Sequence, residues 1–218
     1  AATPANQQAA ALQTVVSPSP ASKFKIEILK NVANELIPLP ATNANGLAVV
    51  GLNADDIYAV RIYNDFEFDV AAKLTLDGIN SFAISDVARY KALGCWVIPR
   101  KSFATVRGWH KNQDFINEFK VTTYPESVAK MLGGQAEGIG VIQVQFFPAW
   151  NPNEQTPFEE LAGNSKGAPE LATGVGPLRQ TQSEPVQRVF GRTLLGAVTV
   201  RYARPEVPTD LPPGEAPK

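Results

Sequence analysis

A single histidine and a single cysteine, His110 and Cys95, set a low ceiling on the chemistry open to this chain of 218 residues. To work as a general base, His110 needs a nucleophile at one ring nitrogen and a carboxylate at the other. Its neighbours, Trp109 before it and Lys111-Asn-Gln-Asp114 after it, name neither; the reading taken is a hydrogen-bonded structural histidine. Cys95 lies between Gly94 and Trp96, with no helix N-terminus or cation beside it to lower its pKa, so it reads as a buried, inert thiol. One thiol also excludes a disulfide within the chain and a cysteine cage for zinc.

Other groupings also have an ordinary explanation. Gly133-Gly-Gln-Ala-Glu-Gly-Ile-Gly140 has the composition of a phosphate loop, but such loops run strand, glycines, helix. Here the glycines follow a predicted helix and precede a predicted strand, which is a helix cap and connector. Asp65, Asp69, Asp77 and Asn80 offer the hard oxygens that calcium takes. No Asp-x-Asp-x-Asp-Gly loop joins them, and they read as turn formers. Glu159-Glu160 has no apolar surroundings to raise one carboxyl and reads as a solvated pair. Of the three tryptophans, Trp96 and Trp109 are assigned to the core. Trp150, flanked by Pro148, Asn151 and Pro152, is the candidate partner contact, together with Phe158 in the same polar stretch. No catalytic residue, metal ligand or cofactor site is assigned, and the chain reads as non-enzymatic.

The elements that must position these residues are strands. Lys73-Leu-Thr-Leu76 alternates and runs into Asp77-Gly78, a strong turn signal. Phe24, Ile26 and Ile28 face one way with Lys25 and Glu27 the other. Tyr58–Tyr63, Phe66–Leu76, Phe103–Val106, Phe115–Val121, Ile139–Phe147, Val186–Phe190 and Ala197–Tyr202 continue the series. Spacing of this kind with turn residues between predicts a mainly β fold, an antiparallel β-sandwich of jelly-roll or immunoglobulin-like type. One short helix is predicted near 125–132, with Pro125 in its first turn and Gly133 past its end. The organisation read from composition is an extended arm over 1–22, which holds no charged side chain, a sandwich domain over 23–203 with a long loop at about 148–171, and a proline-rich tail over 204–218.

Several of these segments resemble an uncharacterised family of bacterial proteins with no known activity. The series is Tyr58-x-x-Arg61-x-x-Asn64, Leu76-Asp-Gly-Ile-Asn80, Gly94-x-x-Val97-x-Pro99, Val106-Arg-Gly-Trp109 and Gly138-Ile-Gly-Val-Ile142, spanning about Leu47 to Tyr202. Cys95 stands where that family tends to have tyrosine, and His110 where arginine is common. The resemblance implies a β-sandwich-like domain and assigns no site residue.

Twenty basic against twenty-one acidic residues leave no field to attract nucleic acid, and no apolar run reaches the roughly 20 residues of a membrane helix. The start at Ala-Ala-Thr-Pro fits a removed leader or a trimmed initiator methionine. The Ala/Gln-rich arm favours export, hence an extracellular or cell-surface location, although a lone cysteine suits the cytoplasm equally. The functional expectation is a structural or interaction protein that assembles with copies of itself through residues 1–22 and 204–218 into a filament, shell or layer. The alternative is an extracellular ligand- or glycan-binding module using the 148–171 loop.

Overall fold

The computed structural model of the chain describes residues 13–134, 139–155, 172–181 and 183–203. After the two-residue strand β1 (Val15–Val16), β2 (Phe24–Val32) reverses at Ala33-Asn34 into β3 (Glu35–Pro38). β4 (Ala41–Ala44) reverses at Asn45-Gly46 into β5 (Leu47–Gly51). β6 (Ile57–Asn64) and β7 (Val70–Leu76) follow, and Asp77-Gly78 turns the chain into β8 (Ile79–Asn80). All three reversals are two residues long with both residues at positive φ, from 52° at Ala33 to 81° at Gly46. That is the hairpin turn whose twist matches paired strands, and it selects Asn, Asp and Gly. Ala33 is the exception, holding a Cβ in the left-handed region.

A short helix α1 (Ala88–Leu93) leads to β9 (Trp96–Ile98), β10 (Ser102–Val106), β11 (Gly108–His110) and β12 (Phe115–Thr122). The helix predicted near 125–132 is a 3-10 turn at Tyr124–Glu126 followed by α2 (Val128–Met131). Ser127 caps α2, its Oγ accepting the Lys130 N–H at 3.1 Å, and Gly133 at φ 76° follows its end. β13 (Val141–Trp150), β14 (Ala172–Gln180), β15 (Val189–Phe190) and β16 (Gly196–Ala203) complete the described elements.

The strands form two sheets. One runs β1-β2-β6-β12-β11, with β3 also on β2, β10 on β6 and β14 on β12; the other runs β4-β5-β16-β13-β7-β8, with β9 on β7 and β15 on β13. Every pairing is antiparallel except β5 with β16. Alternation decides which side faces in. From the first sheet Phe24, Ile26, Ile28, Val60, Ile62 and Phe119 point into the core; from the second, Leu74, Leu76, Ile142, Val144, Phe146 and Val200 meet them. The opposite side of the second sheet carries Lys73, Thr75, Gln143 and Gln145, the solvated face expected of an antiparallel sheet. The structure is therefore mainly β, with two open, mostly antiparallel sheets, as expected of a sandwich. β13 lies between β7 and β16 and is central in its sheet.

Four local expectations are corrected. The strand predicted from Phe66 begins at Val70; Phe66 and Phe68 alternate with acids, yet they lie in a bend and pack on the rim of the core, their rings 4.8 Å apart. The loop predicted from 148 starts later, because Pro148, Ala149 and Trp150 are the last residues of β13, with Pro148 opposite Val70. β14 was not expected: the stretch after the predicted loop, with Gly174, Gly176 and Pro177, was assigned no element. It pairs only with β12, so Pro177 sits on an edge strand, where a missing N–H is tolerated. Between Asn117–Leu178 and Phe119–Val175 the register shifts, two steps on β12 against three on β14, which is a bulge at Gly176-Pro177. α1 was also not expected; it has no side-chain N-cap and no buried residue. The N-terminal arm is described from residue 13, and there it joins the chain's own sheet: Val15 and Val16 pair with Glu27 and Ile26, Val16 is buried, and the Gln13 C=O accepts the Ala41 N–H at 2.8 Å.

Candidate functional site

The turn after β7 is the hub from which the site is built. Asp77 is buried, and its Oδ1 accepts the N–H groups of Gly140 at 2.7 Å and Val141 at 3.3 Å. Its Oδ2 accepts the N–H of Thr173, and the Tyr202 hydroxyl lies 3.0 Å from each oxygen. Thr173 Oγ1 in turn lies 3.0 Å from the Tyr202 hydroxyl and 2.6 Å from that of Tyr58. One carboxyl thus ties β7, the entry to β13 and β16 of one sheet to β14 of the other. Burial raises its pKa to about 7, while the Thr173 N–H, the Tyr202 hydroxyl and the Val141 N–H pull the other way. Burial also holds the Tyr58 and Tyr202 hydroxyls well above the ordinary tyrosine range.

Three residues on, Asn80 fixes two further segments. Its Nδ2 donates to the Gly94 C=O at 2.8 Å and its Oδ1 accepts the Phe82 N–H at 2.8 Å. Gly94 caps α1 at φ 61°, and a Cβ there would come within 2.9 Å of Asn80 Nδ2. Ser81 does the same for the next pair: its C=O accepts the His110 N–H at 2.8 Å, and its Oγ accepts the Trp96 indole N–H at 3.0 Å. The Asp-Gly-x-Asn turn, the Gly94–Pro99 segment and the Gly-Trp strand are therefore joined by direct hydrogen bonds around one corner.

That corner walls a cleft of about 410 Å³ between α1 and residues 183–190. Phe82, Tyr90, Trp96, His110, Val186 and Phe190 are among its lining residues. His110 forms the floor. Phe82 stacks on it at 4.8 Å, Tyr90 meets it edge-on at 5.3 Å and Trp96 at 5.9 Å. The Nδ1 lies 3.0 Å from Ser85 Oγ. Burial lowers the imidazole pKa, and the nearby Asp86 carboxylate opposes that shift. Ser85 is itself buried; its Oγ accepts the Val87 N–H at 3.1 Å and reaches the Lys111 C=O at 3.2 Å. A serine engaged in this way orients the ring and is poorly placed to attack a substrate.

The residues singled out from sequence separate into several places. Cys95 and Trp96 belong to the cleft with His110, so Trp96 is a half-buried wall whereas Trp109 is fully buried in the core. Burial, opposed by Lys73, pushes the Cys95 thiol up to about 11, which keeps it protonated at neutral pH. The oxygens considered for calcium serve different partners: Asp65 pairs with Lys25 at 2.5 Å, Asp69 with Arg188 at 2.8 Å, and Asp77 and Asn80 hold the backbone as above. No group of three or more metal-ligating His, Cys, Asp or Glu side chains occurs among the described residues. Trp150 borders a second, smaller hollow of about 140 Å³ beside Asp69 and Arg188. Phe158 and Glu159-Glu160 lie outside the described residues, as do 135–138 of the glycine run. Sequence reasoning missed Phe82, Tyr90, Val186 and Phe190 as site residues; no local period links them, because three separate segments bring them together. Comparison of the chain with protein-family models, with curated proteins and with solved structures gives no match.

Proposed function

We propose that this protein is a non-enzymatic binding module whose ligand seats in the cleft between α1 and residues 183–190. The observation that supports the reading is the convergence of four aromatic side chains and a histidine around a volume within the range of small-molecule sites, which are typically apolar with a few placed polar groups. The ligand is thereby assigned to this cleft and not to the 148–171 stretch. Ligand-observed magnetic resonance with a mixture of aromatic, aliphatic and saccharide fragments tests it. Tyr90→Ala is the informative variant, since α1 has no buried residue and the fold does not depend on it. At least one fragment is expected to bind, and to bind about tenfold more weakly to the variant, the loss of one aromatic contact. Equal binding to both proteins would place the ligand elsewhere.

A second reading, self-assembly, is favoured by the way residues 13–16 complete the edge of β2 as an added strand. The same slot can accept the corresponding segment of another copy, a route by which identical chains assemble. Deleting residues 1–22 removes Val16 from the core, so the cleaner test deletes 1–12 or 204–218 alone. Light scattering is expected to show a larger particle for the full chain and a loss of size on one of these deletions. A full chain that runs as a monomer at all concentrations would end this reading.

A further inference from the structure

We infer that the ligand of the cleft is a small planar ring carrying a single hydrogen-bonding group at its edge, a phenol or indole type of molecule, and not a saccharide; this rests on the cleft being the binding site. Few polar groups inside the cleft are still able to meet a ligand. The Tyr90 hydroxyl accepts the Gln113 side-chain N–H at 3.2 Å and keeps its O–H to donate, whereas the Trp96 indole N–H is given to Ser81. Ser183 Oγ donates to the Gln113 C=O at 3.1 Å. His110 Nδ1 is held by Ser85 at 3.0 Å; because Ser85 Oγ gives its own proton to the Lys111 C=O, the ring donates from Nδ1 and its Nε2 is an acceptor. Arg89, Glu184 and Gln187 are exposed and stand at the mouth.

The interior therefore offers aromatic rings, one ring nitrogen and the Tyr90 O–H. A sugar ring enclosed there would leave several hydroxyls without partners, and each unpaired buried hydroxyl is unfavourable by more than a good hydrogen bond returns. A planar ring with one edge group meets both demands: its faces lie against Phe82, Tyr90 and Trp96, and its edge group pairs with Nε2. Leu93 at 47% and Val186 at 48% exposure flank the entrance, so the way in is apolar as well. α1, which buries none of its own residues, gains an apolar surface to cover when such a ring is in place.

p-Cresol and toluene differ by one hydroxyl and probe the inference directly, with methyl glucoside as the third ligand. Dissociation constants are measured by ligand-observed magnetic resonance for the native chain and for His110→Phe. The native protein is expected to bind p-cresol about tenfold tighter than toluene, the worth of one satisfied hydrogen bond, and not to bind methyl glucoside. His110→Phe is expected to bring p-cresol and toluene to parity. If that variant does not fold, the native ratio alone decides. Equal binding of p-cresol and toluene to the native protein would overturn the inference but leave the cleft as an apolar site. Tighter binding of methyl glucoside would overturn it in favour of a glycan. Binding of none of the three would remove the cleft reading together with the inference.

Discussion

Replacement of Asp77 by alanine is expected to cost 5 kcal/mol or more, about the whole stability of a marginal domain. The carboxyl accepts three backbone N–H groups and contacts the Tyr202 hydroxyl in a buried setting. A buried donor left without its acceptor costs about 1–3 kcal/mol. Aspartate also tolerates its φ of 55° better than alanine does, through local hydrogen bonding of its side chain. Urea denaturation followed by tryptophan fluorescence measures the effect, and a loss under 2 kcal/mol would show that water or neighbouring groups replace the carboxyl. Asp77→Asn is the milder companion: asparagine accepts positive φ and keeps one acceptor oxygen, so it should fold.

The pair also reads the protonation state. Burial raises the folded-state pKa of Asp77 to about 7, above the value of about 3.9 in an unfolded chain. A raised folded pKa means that the native protein binds the proton more tightly. This contribution to stability is complete below about pH 4, declines as pH rises from about 4 to about 7, and is gone above that. Three units correspond to about 4 kcal/mol. The stability of the native chain minus that of Asp77→Asn should therefore fall across this window. A difference that rises with pH would show that the donors around the carboxylate outweigh its burial.

Trp109→Ala is expected to cost about 3–5 kcal/mol, as large core truncations do. The side chain is fully buried, its indole N–H donates to the Gly174 C=O at 3.0 Å, and its ring meets Phe119 edge-on at 5.5 Å. The position cannot relax by sliding the strand. At the preceding residue, Gly108, a Cβ would fall 2.2 Å from the Asn117 carbonyl oxygen, so β11 and β12 are already as close as backbones come. Trp109→Phe should cost less, because most of the ring volume remains and the main loss is the Gly174 partner. Chemical denaturation of the two variants checks the order; a near-zero change for alanine would place this residue on the surface.

The sandwich was legible because its central strands obey the pleat. Ile142, Val144 and Phe146 alternate with Gln143 and Gln145, and the buried set falls on one side. Asp77-Gly78 was legible as a turn for the same local reason. What stayed hidden was of two kinds. β14 is rich in Gly and Pro, residues that intrinsic preference places outside strands, and it is held by pairing with β12 and by the Asp77 carboxyl, both distant in sequence. The cleft was hidden because His110, Cys95 and Trp96 each have an ordinary explanation alone; only the Asn80 and Ser81 hydrogen bonds reveal that they share a wall with Phe82 and Tyr90. Trp150 drew attention instead because a tryptophan among prolines is conspicuous locally, yet it lies half-buried at the end of β13.

The bond between Asp77 and Tyr202 spans 125 positions, and the parallel pairing of β5 with β16 closes a loop of similar size. Neither can form on a ribosome until almost the last residue of β16 has emerged. Closing so large a loop precedes any reward from the contacts it brings, so this topology folds slowly. Until that loop closes, the inward faces of β6 and β7 lack their partners, and unpaired apolar strands of this kind are where aggregation starts.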